Sequence, residues 1–231
     1  MREEQGQKDH YNLIAHQYDE TIPKHIVDYL RNRRIEIFKK YGLRGKVLDV
    51  GCGTGEILRS LPDSTEKFGI DISEEMVETA KKKVPGASFE IGSITNLPYK
   101  DNEFDFVYTV AVLHHLITKN NVKKTLKEIY RVTKLGGVAV IWDHNPLNPY
   151  WKILMKKAPQ DKGDERLVGL KEIIDAFDKS SDIKFLRLTF TADFFPNFIL
   201  KGWSIFEKML ENAPLINKLA AHNVIIVRKN V

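Results

Sequence analysis

Residues 46–58, KVLDVGCGTGEIL, limit what this chain can fold into more than any other stretch. The short apolar run Val47-Leu48-Asp49-Val50 reads as a buried parallel strand. Three glycines at alternate positions, Gly51, Gly53 and Gly55, follow at once, and Glu56 to Leu61 reads as a helix with Ile57, Leu58 and Leu61 on one face. A strand that runs through a glycine turn into a helix start makes a ligand site. Glycine permits positive φ and lets the backbone come close to a bound molecule. The first N–H groups of a helix have no intrahelical partners and point outward.

The glycine spacing separates two ligand classes. A dinucleotide turn needs G-x-G-x-x-G. Here Glu56 holds the place of the third glycine, and a carboxylate there would face a pyrophosphate. The pattern Asp49-x-Gly51-x-Gly53-x-Gly55 instead resembles the first motif of class I S-adenosylmethionine (SAM) methyltransferases. Their ligand has an amino-acid end, a ribose and an adenine but no phosphate, and an acid near its ammonium is favourable.

Length and composition set the remaining bounds. The 231 residues suit one α/β domain, and 42% hydrophobic with 29% charged residues is ordinary for a soluble globular chain. A single cysteine, Cys52, leaves no internal disulfide and fits a reducing, cytoplasmic setting. No apolar run reaches the roughly 20 residues that span a bilayer, and the N-terminal MREEQGQKDHYN has no apolar signal region. The net charge of +5 is mild, with lysines scattered among glutamates, so nucleic acid is not an indicated partner.

Elements follow in an alternating order. Tyr11 and Tyr18, seven apart, share a side if the N-terminal segment is helical, and residues 21–41 carry apolar positions at helical spacing that stop at Gly42. Lys67–Asp71 reads as a second strand, Ser73 as the N-cap of a helix whose apolar face is Met76, Val77, Ala80 and Val84, and Ser88–Gly92 as a third strand. A fourth strand spans Phe104–Val110. An amphipathic helix through Val122, Leu126, Ile129 and Val132 closes at Gly136-Gly137, and Val138–Trp142 is a fifth strand. Beyond it, Pro159 and Gly163 break the connection 150–169. Lys171–Phe177 is helical, Phe185–Phe190 a sixth strand, Trp203–Leu210 a helix and Asn223–Lys229 a last strand. Strands alternating with helices imply a mostly parallel sheet with helices on both faces.

By Asp71 and the run Phe104–Leu116 the resemblance to class I SAM methyltransferases of the broad small-molecule type (the UbiE and methyltransferase type 11 group) extends over residues 10–145, and by element order beyond. It implies a Rossmann-like fold whose seventh strand is antiparallel and inserted between the fifth and sixth. It also implies one SAM-dependent domain over 1–231: a helical lid at 1–44, a SAM-binding core at 45–143 and an acceptor side at 144–231. Asp49 with the backbone of Gly51, Gly53 and Gly55 would hold the amino-acid end. Cys52 is placed within that turn as a small tolerated side chain, not a nucleophile. Asp71, 20 residues after Gly51, would accept hydrogen bonds from the ribose hydroxyls. Ile72 and Met76 would pack on ribose or adenine, and Gly92, Ser93 and Ile94 would read the adenine. Ser93 departs from the family, where many members carry an acid. Val110, Leu113 and His115 would lie beside the methionine portion, and Tyr11 and Tyr18 would close over the sulfonium.

Methyl transfer from SAM is an in-line displacement that leaves S-adenosylhomocysteine, and the protein mainly positions the partners. A hydroxyl acceptor would need a general base; Asp143, His144, His114/His115 and His16 are candidates, with a metal site unsupported by ligand spacing. The DHNPLNP segment resembles methyltransferases of saccharide, lipid and natural-product pathways, so the expected acceptor is a small molecule, a saccharide or a lipid-linked compound. The aromatic stretch Phe190–Phe206 would line its pocket, touch a membrane surface or be plain core. Two other readings stand beside this one: a catalytically silent SAM-fold binding protein, and a nicotinamide-dependent oxidoreductase.

Overall fold

The structure is a computed structural model describing residues 2–155, 163, 165–177 and 181–230, so Pro159 lies outside the described residues. Two helices, α1 (Arg2–Ile14) and α2 (Lys24–Lys40), precede the sheet. Then come β1 (Lys46–Val50), β2 (Glu66–Asp71), α3 (Glu74–Lys83), β3 (Ser88–Ile91), β4 (Phe104–Val110), α4 (Lys119–Val132) and β5 (Thr133–His144). The chain continues through α5 (Trp151–Leu154), α6 (Leu170–Ile174), β6 (Asp182–Leu188), α7 (Asn197–Asn212) and β7 (His222–Arg228).

The seven strands form one sheet in the order β3-β2-β1-β4-β5-β7-β6. β1 pairs in parallel with β2 and β4, and β7 runs antiparallel to both β5 and β6, as the resemblance implied. Successive strand residues point to opposite faces. Leu48, Val107, Ile141 and Ile225 therefore meet α4 and α6 on one side. Val47, Phe106, Val140 and Ile226 meet α2 and the Ile57–Leu61 turn on the other. Near-continuous apolar runs in β1, β4, β5 and β7 reflect this double burial.

Caps fix the helices around the sheet. Ser73 Oγ accepts from Met76 N at 3.2 Å, as expected, with Glu74 and Glu75 in the first turn and Lys81–Lys83 in the last. Three expectations are corrected. The helix after the glycine turn is a single 3-10 turn, Leu58–Ser60. Pro62 forces Leu61 into an extended conformation (ψ 149°), which ends the turn before a helix can form. Tyr11 and Tyr18 do not share a helix, because α1 stops at Ile14 and Tyr18 opens a separate turn, yet their rings lie 6.3 Å apart. Gly136-Gly137 do not close α4: Thr133 already pairs with Phe104, and the ladder then skips to Phe106 with Val138, leaving the glycines in the irregular stretch.

Candidate functional site

The C-terminal ends of β1, β2 and β4 and the residues just after β3 surround one cavity, about 780 Å³ of empty space counted out to its solvent-open mouth. Gly51 and Gly53 come from the first loop, Asp71 and Ile72 from the second, Ser93 and Ile94 from the third, and Val110, Ala111 and Val112 from the fourth. Two glycines are required by conformation. Gly51 has φ +79° with Val112 so close that a Cβ would meet it at 2.6 Å, and Gly53 has φ +49° with open space where a Cβ would stand. Met76, from α3, completes the wall.

Helix α1 covers this cavity. Glu4, Gln7 and Tyr11, at i, i+3 and i+7, share one helix face and all line it. Ser93 Oγ donates to Glu4 and lies 2.8 Å from Thr95 Oγ1. Gln7 Nε2 donates to the His115 carbonyl at 3.1 Å, while its buried Oε1 has no hydrogen-bond partner among the described residues. Tyr11 Oη lies 2.8 Å from His115 Nε2. Farther along, Asn12 Oδ1 accepts from Ser73 Oγ at 2.7 Å, and Thr54 Oγ1 donates to Asp19 at 2.7 Å, tying the glycine loop to the turn that carries Tyr18.

Asp71 is held by backbone. Its Oδ2 accepts from Gly53 N at 2.8 Å and its Oδ1 from Ser73 N at 3.0 Å. Burial raises its pKa, and those backbone donors oppose the rise. Asp49 is buried beneath the loop beside Tyr108, Asp71 and Arg34, and burial holds its carboxyl well above the usual range. Glu56 does not face a ligand: it forms ion pairs with Arg31, with Arg59 at 2.9 Å and with Lys83 at 3.5 Å, so the basic residues around it have claimed the carboxylate.

Of the residues singled out from sequence for cofactor binding, the cavity gathers Tyr11, Tyr18, Gly51, Gly53, Asp71, Ile72, Met76, Ser93, Ile94 and Val110. Asp49, Cys52, Gly55, Gly92 and Leu113 do not line it. Leu113 is fully buried in the core, Gly55 packs against Ala80 and Val84, and Gly92 against Ile70. Cys52 is buried, and burial raises its thiol pKa well above the ordinary thiol value, which disfavours the thiolate.

A second cavity, of about 1050 Å³, adjoins the first and shares Tyr18, Ala111 and His115 with it. Ile22, Ile26 and Leu30 give it an apolar side; Tyr150, Trp151 and Asp193 give it another. Arg34 adds a cation, stacked over Trp142 with its guanidinium carbon 5.8 Å from the ring centroid; burial lowers its pKa to about 10. His114, His144 and His222 line the floor.

Asp143 lies behind those histidines and lines neither cavity. It accepts from Leu113 N at 2.7 Å, Val112 N at 3.2 Å and His144 N at 2.7 Å. His114 Nδ1 lies 3.0 Å from its Oδ1 and 2.8 Å from His144 Nδ1. Burial would raise the Asp143 pKa, but the two imidazoles hold it well below the usual range. Burial lowers the pKa of His114, His144 and His115, the last to about 4, so His115 is uncharged at neutral pH. His114, Asp143 and His144 also have the atoms to ligate a metal ion, although the three backbone bonds already balance much of the carboxylate's charge.

Sequence reasoning missed Glu4, Gln7, Ala111, Val112 and Leu116 in the first cavity. The helical period through Tyr11 carried the signal for Glu4 and Gln7. It missed Arg34 and His222 in the second, where residue type alone gives none. His16, a candidate base, sits instead at the surface, 3.8 Å from Glu75.

Comparisons with known proteins point to one family. A family model described as a methyltransferase domain matches residues 48–141. An uncharacterised protein of Methanocaldococcus jannaschii is 30% identical over 167 residues, covering 71% of this chain and 77% of that protein. The demethylmenaquinone methyltransferase of Renibacterium salmoninarum is 33% identical over 162 residues, 63% of this chain and 67% of the enzyme. A tRNA (carboxymethyluridine(34)-5-O)-methyltransferase of Arabidopsis thaliana is 39% identical over 95 residues, which is 41% of this chain but 23% of that protein. Among solved structures, a SAM-dependent methyltransferase of Thermotoga maritima, described as a possible histamine N-methyltransferase, superposes with a TM-score of 0.71 at 20% identity, covering 97% of this chain and all of that one. At that identity the likeness speaks for the fold.

Proposed function

We propose, for a chain that belongs to the SAM-dependent methyltransferase family, that the first cavity holds SAM and the second a small-molecule, saccharide or lipid-linked acceptor. One observation carries this reading. The two cavities meet at a common wall of Tyr18, Ala111 and His115, so molecules seated in each would face one another there.

The residues present suit SAM. Asp71 lines the cavity with acceptor capacity beyond its backbone donors and can accept from vicinal hydroxyls. The Gly53 backbone faces open space, and the orphaned Gln7 Oε1 can accept from an amino group. Glu4 stands beside Ser93 and supplies the acid that position 93 lacks. SAM supplies a methyl group already activated for transfer. The chain's own part is to hold both partners in register and to keep water out. α1 is the lid for the second task.

Proton removal falls to the histidines. His115, uncharged and touching both cavities, and His144, on the acceptor side, can each accept a proton from an acceptor hydroxyl. Asp143 orients His144, directly and through His114, as a positioning residue. The apolar side of the second cavity with Arg34 at its end suits an amphiphilic acceptor with an oxygen-rich head. We read 1–44 as lid, 45–143 as cofactor half and 144–231 as acceptor side of a single unit. The free, buried Cys52 suits the reducing cytoplasm.

Calorimetry with SAM and with NAD, followed by S-adenosylhomocysteine release with phenolic, saccharide, lipid-linked and tRNA acceptors, tests the reading. SAM binding with turnover on one of the first three supports it. Turnover on tRNA alone replaces the acceptor class, SAM binding without turnover on any acceptor leaves a silent binding protein, and preference for NAD removes the cofactor assignment.

A further inference from the structure

Helix α7 is mounted the opposite way from an ordinary surface helix. Its two acids face the protein. Glu207, fully buried, accepts from Tyr29 Oη at 2.7 Å and from Thr191 N and Oγ1 at 2.9 and 2.8 Å. Glu211 accepts two bonds from Arg33 Nη2 at 2.7 Å and a third from Thr189 N at 2.9 Å. Trp203 Nε1 donates to Thr191 Oγ1 at 2.9 Å. A surface helix usually turns charge to water and its apolar stripe inward. Here Phe198, Ile205 and Met209 point outward, with Phe198 79% exposed. The flanks continue the pattern: Phe194 is 74% exposed before the helix, and Leu215 and Leu219 are exposed after it.

Nine of the fourteen large apolar side chains exposed among the described residues lie within 194–219. Phe194 to Leu219 contains two acids, the buried Glu207 and Glu211, while Lys208 and Lys218 are exposed. The outward surface of the described side chains there is thus apolar with cations and without anions. The anchoring ion pair fixes this orientation, since rolling α7 to hide its apolar face would strand Arg33.

We propose that this face seats on an anionic phospholipid surface. Aromatic and aliphatic groups would enter the acyl boundary while lysines meet the headgroups. The exposed charges of this face, Lys208 and Lys218, have one sign, the complement of anionic headgroups. Its position supports the same occupant. Asp193, beside Phe194, lines the second cavity and accepts from Tyr150 Oη at 3.3 Å. Asn148 Nδ2 donates to the Leu219 carbonyl at 2.7 Å, next to exposed Leu147. The face therefore borders the mouth of the acceptor cavity, so a lipid-dissolved acceptor would reach it without crossing water. This last step rests on the function proposed above; the docking itself does not.

The test is co-sedimentation of the full chain, without SAM, with vesicles of phosphatidylcholine alone or with a quarter phosphatidylglycerol. Binding is expected at least tenfold stronger to the anionic vesicles and to weaken in high salt. Phe198→Glu with Ile205→Glu should abolish it, and Lys208→Glu with Lys218→Glu should remove the preference for phosphatidylglycerol. Circular dichroism and SAM affinity, both unchanged, show that the variants fold and that the cofactor site is a separate matter. Failure of the parent chain to sediment with either vesicle overturns the proposal. So does equal binding by the Phe198→Glu/Ile205→Glu variant, or a concentration-dependent dimer that this variant dissolves while vesicles bind nothing.

Discussion

At the residue scale, Asp71 shows how one carboxylate can fasten a loop and line a cavity together. It fastens Gly53 and Ser73 through their N–H groups and still faces the cavity. Asp71→Ala is expected to weaken SAM binding by about 1.5–3 kcal/mol, the range for hydrogen bonds to charged groups, as read by calorimetry. Gly53→Val should fold, but its φ of +49° places a β-branched residue in the left-handed region. A loss of about 1–2 kcal/mol in chemical denaturation is expected along with weakened SAM binding. His222 carries a pH signature. It is buried, and burial holds its pKa well below 6.5. Between pH 6.5 and that folded value the unfolded chain binds a proton the folded chain does not, so this residue's contribution to stability falls as pH falls. His222→Gln should remove that dependence, up to about 1.4 kcal/mol per pH unit, seen as denaturation midpoints of the two proteins drawing together from pH 6.5 to 5. Asp71 was legible because it ends the strand that follows the glycine turn, and that strand pairs in parallel with β1, which brings both C-terminal ends to one edge. Ala111 was not: its φ of +56° at the common wall is imposed by surroundings, with its N–H bonded to the Trp142 carbonyl at 2.8 Å, and nothing in an alanine announces it.

At the element scale, α1 and α7 each do something their sequences tell only in part. α1 reads as a polar helix, yet Glu4, Gln7 and Tyr11 form the roof of the first cavity. Glu4→Ala should raise the SAM dissociation constant several-fold with little change in thermal stability, since the side chain lines the first cavity and is not in the core; calorimetry paired with thermal melts reads both. α7 extends to Asn197–Asn212, beyond the expected Trp203–Leu210: Leu200 is buried in its first turn, and Glu211 pairs with Arg33 in its last. Arg33→Met is expected to cost about 3–5 kcal/mol in urea denaturation, as it leaves Glu211 buried without its cation. The helix expected after the glycine turn failed because Pro62 acts on the residue before it, a local rule that outweighed the apolar face of Ile57, Leu58 and Leu61.

At the scale of the whole molecule, the alternation of strands and helices announced the parallel part of the sheet, since two-sided burial makes those strands uniformly apolar. The position of β7 could not be read that way. Its residues are as apolar as those of β1, and only the resemblance supplied its slot between β5 and β6. The second cavity was illegible for a related reason: it is assembled from α2, the loop after β4, the stretch after β5 and the start of β7, which meet only once the sheet is complete. The slot of β7 has a consequence during synthesis. A ribosome delivers β6 before the strand that must separate it from β5. Until residues 222–228 emerge, both neighbours present bare hydrogen-bonding edges, and joining them directly would be a trap. A nascent chain of this protein therefore has reason to wait, or to be held by a chaperone, before it closes its sheet.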